Sequence, residues 1–166
     1  LQNIRGNTYR EYYSEDRVGV IGEKCTINAM NLTGFACNGD KTTVKVNGVV
    51  MSGSGTSIET TLTEDGVLVE FYYDRQSFEY VVRYIDRQTN KEIIDKKRSS
   101  APFGEQIVET AANLEGMGYN LVSENSKLHT ISANIEMNVI DFYYQEKNVT
   151  LKYQIVGPEN CGSLSM

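Results

Sequence analysis

Phe71-Tyr72-Tyr73-Asp74-Arg75 leads within a few residues into Tyr80-Val81-Val82-Arg83-Tyr84, and Phe142-Tyr143-Tyr144-Gln145-Glu146 leads into Val149-Thr150-Leu151-Lys152-Tyr153. One pattern is stated twice, and an internal repeat decides architecture before local propensity does. Tyr9-Arg10-Glu11-Tyr12-Tyr13 stands one repeat length before Tyr80 to Tyr84, so units are expected to open near residues 9, 80 and 149. The 166 residues then divide into two units of about 70 residues each, with a remainder. Units that small bury only about 60% of their unfolded surface, so each should lean on its neighbour or on dense aromatic packing. Eleven tyrosines are consistent with that need.

Within the first unit, residues 7–13 alternate with period 2, placing Tyr9, Glu11 and Tyr13 on one face of a strand and Arg10 and Tyr12 on the other. Short β-like pieces follow at residues 18–21 and 25–29, on either side of Gly22-Glu23. The sharpest local signal is Thr42-Thr43-Val44-Lys45-Val46, then Asn47-Gly48, then Val49-Val50-Met51. Asn-Gly between β-branched runs predicts a two-residue type I′ hairpin, whose central residues both need positive φ. Asp65-Gly66 turns the chain into a long closing strand over residues 66–73.

The second unit repeats the order. Residues 80–86 form a strand, Gln88-Thr89-Asn90 a turn, and Glu92-Ile93-Ile94-Asp95 the returning strand. Gly104-Glu105 precedes Ile107-Val108 as Gly22-Glu23 precedes Cys25-Thr26-Ile27. Thr110-Ala111-Ala112-Asn113-Leu114-Glu115 is the only cluster of good helix formers, with Gly116 as its stop. Leu121-Val122-Ser123 and residues 138–144 complete the sheet. The intervals between these landmarks differ: the second unit has the longer first loop and lacks the Asn47-Gly48 hairpin. What is kept is the short step from closing strand to next opening strand, which leaves little hinge freedom and predicts a semi-rigid rod.

Composition excludes several function classes. The net charge is −6 and the one basic cluster, Lys96-Lys97-Arg98, reads as a solvated turn. Nucleic-acid binding needs a basic stripe to neutralise phosphates, and there is none. No run of 18 apolar residues could cross a bilayer. The chain opens on Leu1 without an initiator Met or a signal peptide, and is expected to be a piece of something longer. Cys25, Cys37 and Cys161 lack metal-ligand spacing. A Cys25–Cys37 disulfide and three unpaired, core-type thiols are both open.

Catalytic chemistry finds little to work with. The single histidine, His129, lies in an expected loop, Ser126-Lys127-Leu128-His129-Thr130, and no Gly-x-Ser-x-Gly elbow surrounds a serine. Glu64-Asp65 and Glu115 read as turn or surface residues, not as a glycosidase pair in an apolar pocket. Asn38-Gly39-Asp40 and residues 86–90 lack the alternating oxygen-ligand spacing of a calcium loop, and turns favour the same residues. The expectation is no enzyme, no cofactor and no metal. The Tyr-Tyr pairs are the most informative side chains. Neighbours on a strand point to opposite faces, so one ring of each pair enters the core and the other lies outside. Tyr12, Tyr72 and Tyr143 are therefore the candidate ligand-binding residues, as a platform for sugar stacking, with cross-strand or inter-unit packing as the alternative. Asn31-Leu32-Thr33 and Asn148-Val149-Thr150 match the N-glycosylation pattern, which is a chance match if the source is bacterial.

The order of landmarks resembles the MucBP (mucin-binding protein) modules of Gram-positive cell-surface proteins and the related B-repeats of internalin-type adhesins. The similar pieces are Val82 to Asp86 preceded by Tyr80-Val81, the pairs Gly104-Glu105 and Gly22-Glu23, the central Gly118-Tyr119 and Gly34-Phe35, and the closing Phe-Tyr-Tyr strand. Two departures stand out: Asp86-Arg87-Gln88-Thr89-Asn90 replaces the usual Asp-x-x-Gly turn, and the first unit carries the extra hairpin. The resemblance implies an α+β, strand-dominated fold of two tandem, ubiquitin-like β-grasp modules in an elongated arrangement. Residues 1–75 would be the first, 76–146 the second and 147–166 the truncated start of a third. It implies a non-catalytic, extracellular segment of a wall-attached, adhesin-type protein, monomeric as a fragment, acting as stalk or spacer and in adhesion. The alternative is a module that binds host glycans, mucin-type glycoproteins or cell-wall polysaccharide through exposed tyrosines.

Overall fold

The computed structural model describes residues 2–5, 8–53, 55–154 and 156, and it is dominated by strands. The first half holds β1 (Gln2–Arg5), β2 (Thr8–Arg10), β3 (Lys24–Asn28), β4 (Phe35–Cys37), β5 (Thr43–Val46), β6 (Val49–Ser52), β7 (Ser57–Thr61), β8 (Val67–Glu70) and β9 (Tyr73–Arg75). The second half holds β10 (Ser77–Asp86), β11 (Lys97–Pro102), β12 (Gln106–Thr110), β13 (Tyr119–Leu121), β14 (Ser126–Thr130) and β15 (Val139–Glu146). Gln76 alone separates the halves.

In the second half a four-stranded sheet runs β11-β10-β15-β13. β10 is antiparallel to β11 and parallel to β15, so the first and last strands lie side by side at the centre. Such a parallel pair needs a long crossover, and β11 to β14 supply it. β12 and β14 form a separate antiparallel pair. Alternation along the central strands builds the core: Tyr80, Val82 and Tyr84 from β10 meet Ile140, Phe142 and Tyr144 from β15, closed by Ala101, Leu114 and Ile131. Each residue in these triplets is two positions from the next, the spacing that puts side chains on one face of a strand.

The first half uses the same plan. Its four-stranded sheet runs β2-β1-β9-β4, again with first and last strands parallel at the centre, and β3 pairs with β7 as β12 pairs with β14. Backbone bonds coincide. Gly22 donates to Leu62 (2.9 Å) and Leu62 to Glu23 (2.9 Å), as Gly104 donates to Ile131 (2.8 Å) and Ile131 to Glu105 (2.9 Å). Gly34 and Gly118 both take left-handed φ, 80° and 84°, and open β4 and β13. Gln76 donates to the Gly34 carbonyl (2.9 Å) as Lys147 donates to that of Gly118 (2.7 Å).

An inserted sheet, β6-β5-β8, belongs to the first half alone. Its turn is the predicted hairpin: Asn47 and Gly48 have φ of 48° and 77°, and Val46 pairs with Val49. β8 pairs with β5, so the expected long closing strand over residues 66–73 is divided at Phe71-Tyr72 into β8 and β9.

Other expectations need correction. The strand expected at residues 7–13 is shorter; β2 ends at Arg10, and residues 11–20 are exposed without strand structure, including the piece expected at 18–21. Tyr9 therefore lies on the second strand of its half, and the opening strand is β1, so the match of Tyr9 with Tyr80 was a coincidence of spacing. Glu92 makes only an isolated bridge with Ile85, and the returning strand is β11. Lys97 and Arg98 are thus strand residues, not a turn: each holds a carboxylate, Glu109 and Glu79 respectively. The helix expected over residues 110–115 is replaced by extended chain and one 3-10 turn, Glu115–Met117. Thr110 is held in β12 and Ala111 donates to Asn125, so pairing outweighs helix propensity there. A second 3-10 turn, Ile135–Met137, is the other helical element among the described residues, so there the α component of the expected fold class reduces to single turns. Cys25 and Cys37 are free and half-buried, and Cys161 lies outside the described residues.

Candidate functional site

The closing Tyr-Tyr pairs split as the strand geometry requires. Tyr73 and Tyr144 point inward, 6% and 1% exposed. Each hydroxyl donates to a carbonyl just past the equivalent strand, Tyr73 to Met30 and Tyr144 to Ala112, both at 2.8 Å. Burial pushes both hydroxyls' pKa values up, so they stay protonated donors. These inner rings are anchors, not binding groups.

Tyr72 and Tyr143 lie half-buried on the outer side. Around Tyr143, Arg87, Val122 and Ser123 line an open depression of about 320 Å³. Ser123 Oγ accepts from the Tyr143 amide at 3.1 Å and Val122 donates to the Tyr143 carbonyl at 2.9 Å, so the ring sits on a fixed backbone. The Lys127 ammonium lies 5.8 Å from the ring centroid and donates to the Asp141 carbonyl at 2.7 Å. Arg83 and Asp141 form a bidentate pair across β10 and β15, at 2.7 Å for each bond. An aromatic face, an arginine and a hydroxyl in a shallow depression suit a polar ligand with a flat apolar side, such as a sugar ring.

Tyr72 has different neighbours. Its ring meets Tyr9 edge-on at 5.1 Å, and its hydroxyl reaches Glu70 at 3.5 Å. Tyr9 in turn donates to Asp74 and accepts from Lys41, whose ammonium stands 4.7 Å over the Tyr9 ring. Asn38 completes the cluster, donating to Asp74 at 2.7 Å. Most of the outer ring is therefore engaged in packing. Tyr12 is 60% exposed on the unpaired segment, with its neighbour Tyr13 exposed as well. The three candidate tyrosines occupy three different settings and do not form one platform.

His129 lies on β14 rather than in a loop, with Nε2 3.3 Å from Asn138 Oδ1. Asn138 is fully buried and structural, donating to the Ser132 and Glu79 carbonyls at 2.8 and 3.2 Å. Asp86, one calcium candidate, makes a turn: its carboxylate accepts from Thr89 Oγ1 at 2.6 Å and the Gln88 amide at 3.0 Å, which holds its pKa below the usual aspartate value. Asn38 of the other candidate is spent on Asp74 and on the Lys41 amide. Among the described residues no three metal-ligating side chains converge. Glu109, also buried, is held by a cation: Lys97 lies at 2.8 Å to both oxygens and Tyr80 donates at 2.7 Å. Burial pushes its carboxyl up, but the two hydrogen-bond donors outweigh it and the net shift is downward.

Sequence reasoning missed Phe103, which fills the joint between the halves. Its ring meets Phe35 at 5.9 Å and Phe78 at 6.3 Å, both edge-on, and covers the Cα of Gly34 so closely that a Cβ there would fall 2.1 Å from ring carbon Cδ1. The Phe103 amide donates to Gln76, the residue between the halves, at 2.8 Å. Gly-Phe at 34 and 35 was visible as a motif; the ring that covers it comes from the other half, beyond the reach of any local pattern. No protein-family model and no curated protein matches the chain.

Proposed function

We propose that the chain is a non-catalytic, extracellular segment of a bacterial, adhesin-type surface protein, in which tandem modules act as a spacer. In this reading residues 1–75 and 76–146 are two β-grasp-like modules and residues 147–166 are the truncated start of a third. The observation that carries it is the joint. A single residue links the halves, its amide holds Gly34, and Phe103 of the second half is seated on that glycine. The duplicated framework converges on this junction, whereas the candidate ligand residues differ from one half to the other. The backbone bond from the following residue to the central glycine recurs, at Gln76 to Gly34 and Lys147 to Gly118, and a joint that fixes one unit on the next transmits orientation, which is the work of a stalk. Small-angle scattering tests it: a compact chain of this length has a radius of gyration of about 15 Å. The spacer reading expects a clearly larger value with an elongated profile, and a value near that of a compact particle refutes it.

The depression at Tyr143 favours a second reading, adhesion to host glycans, mucin-type glycoprotein or wall polysaccharide. It predicts glycan binding that is lost in Tyr143→Ala and kept in Tyr12→Ala and Tyr72→Ala. Binding that survives Tyr143→Ala removes this reading.

A further inference from the structure

The outer tyrosines of the two halves stand at one position of the shared framework, with opposite surroundings. Asn38 donates to the Tyr72 carbonyl at 2.7 Å as Val122 donates to that of Tyr143 at 2.9 Å, so Asn38 and Gly39 hold the places of Val122 and Ser123. In the first half the Tyr9 ring meets Tyr72 edge-on, and the Tyr72 hydroxyl faces the Glu70 carboxylate. That place is filled and acidic. In the second half the depression beside Tyr143 is open, and the charged residue lining it is Arg87.

Strand register puts Arg87 there. Ile85 lies opposite Tyr143 in the parallel ladder, and Arg87, two residues on, shares its face; the Arg87 amide continues the pairing with a bond to the Tyr144 carbonyl at 2.9 Å. On the other flank Ser123 Oγ accepts from the Tyr143 amide at 3.1 Å, which leaves its hydrogen for an outside acceptor. The carboxylates of β10 and β15 are engaged elsewhere: Glu79 by Arg98, Asp86 by Thr89 and the Gln88 amide, Asp141 by Arg83, and Glu146 by Tyr119. Among the described residues no carboxylate pairs with the exposed Arg87 guanidinium. Lys127 adds a second cation 5.8 Å from the Tyr143 ring centroid, with N–H donors to spare beyond its bond to the Asp141 carbonyl.

We propose that the depression takes a sugar bearing an anionic group, a uronic-acid carboxylate or a sulfate ester, with the anion on Arg87, the ring face on Tyr143 and a ring hydroxyl on Ser123; this rests on the adhesion reading above and deepens it. A guanidinium presents its N–H donors in a fork that matches such oxyanions, and charge-assisted bonds of this kind are roughly twice as strong as neutral ones. The Tyr143 face covers the C–H side of the sugar, and the few polar groups around it fix the orientation. The chain carries a net charge of −6, so its overall field disfavours acidic sugars and recognition concentrates at Arg87. The Tyr72 position rejects the same ligand, because Tyr9 fills it and Glu70 supplies like charge.

Amide chemical-shift titration of the intact chain tests it, with oligogalacturonate, its methyl ester and a sulfated galactan oligosaccharide as probes. An acidic sugar should move the amides of Val122, Ser123 and Tyr143, and the neutral ester should bind about ten-fold more weakly or worse, the loss of one charge-assisted bond. Arg87→Gln should weaken the acidic probe by about ten-fold and leave the ester unchanged, while Tyr143→Ala should weaken both. Preference between the two acidic probes identifies the anion as carboxylate or sulfate. Equal binding of acid and ester, acid binding that ignores Arg87→Gln or Tyr143→Ala, shifts centred on Asn38 and Tyr72, or no binding of either acidic probe would overturn the proposal. Ester that binds as well as acid and is lost in Tyr143→Ala refutes the anion alone and leaves the adhesion reading intact; binding that survives Tyr143→Ala removes both.

Discussion

Gly34→Ala and Gly118→Ala make the same change in the same backbone conformation and should have unequal effects. With φ of 80° and 84°, both force alanine into the left-handed region, at about 1–2 kcal/mol each. At Gly118 nothing lies within 4 Å of the added Cβ, so that cost is the whole effect. At Gly34 the Cβ falls 2.1, 2.2 and 2.6 Å from three carbons of the Phe103 ring, which is itself wedged against Phe35 and Phe78. Displacing a packed ring adds about 1–3 kcal/mol. Phe103→Ala alone should cost about 1–2 kcal/mol, since the ring is half-buried. In that background the excess at Gly34 should vanish, leaving a coupling energy equal to the packing cost. Urea unfolding by circular dichroism, with amide exchange read separately at β4 and β13, measures each corner of the cycle. Equal effects at the two glycines, or an excess at Gly34 that survives Phe103→Ala, would refute the joint as described.

Three further outcomes are expected. Tyr144→Phe and Tyr73→Phe should each lower stability by about 1–2 kcal/mol, because a buried carbonyl loses its donor; unchanged urea midpoints would mean the shared bond does not hold the fold. Glu109 has a folded pKa below its ordinary 4.5, so its stabilisation is complete above that value and is lost as pH falls through the lower folded one. Acid titration of stability should be shallower for Glu109→Gln, and an identical profile would clear Glu109 of any part in acid unfolding. In native-state exchange, amides of β3 and β7 should open at lower denaturant than those of β12 and β14; equal protection throughout would contradict the uneven core.

Much of the framework was legible, because it rests on local chemistry. Asn47-Gly48 announced a turn that only positive φ can make, and Gly22, Gly34, Gly104 and Gly118 marked the corresponding left-handed corners. Residues 80–86 were readable as a strand, and the structure buries its Tyr80, Val82 and Tyr84 face. What failed was pairing. Glu92-Ile93-Ile94-Asp95 has the better strand composition, yet Lys97–Pro102 is the strand, because Lys97 and Arg98 find carboxylates there and Ala101 fits under Phe78. The helix at residues 110–115 failed similarly, since Leu114 is drawn into the core while Ala111 binds Asn125. For Tyr72 and Tyr143 position was readable and company was not, since Arg87, Ser123 and Lys127 reach Tyr143 from three separate loops and strands; for Tyr12 even the strand was misread.

The two halves share a plan but not a core, and one difference traces to the inserted hairpin. In the second half Phe142 is completely buried, flanked by β10, which pairs with β15 from Val139 to Tyr144. Its counterpart Phe71 is half-buried, at the break where β8 leaves the central sheet for β5. Among the described residues the buried apolar positions of the first half are Val44, Ile58 and Tyr73, and Val44 belongs to the inserted hairpin. A hydrophobic cluster of that size gives little margin over the entropy of ordering the chain. The hairpin and the joint with the second half therefore carry stability that the central sheet supplies elsewhere.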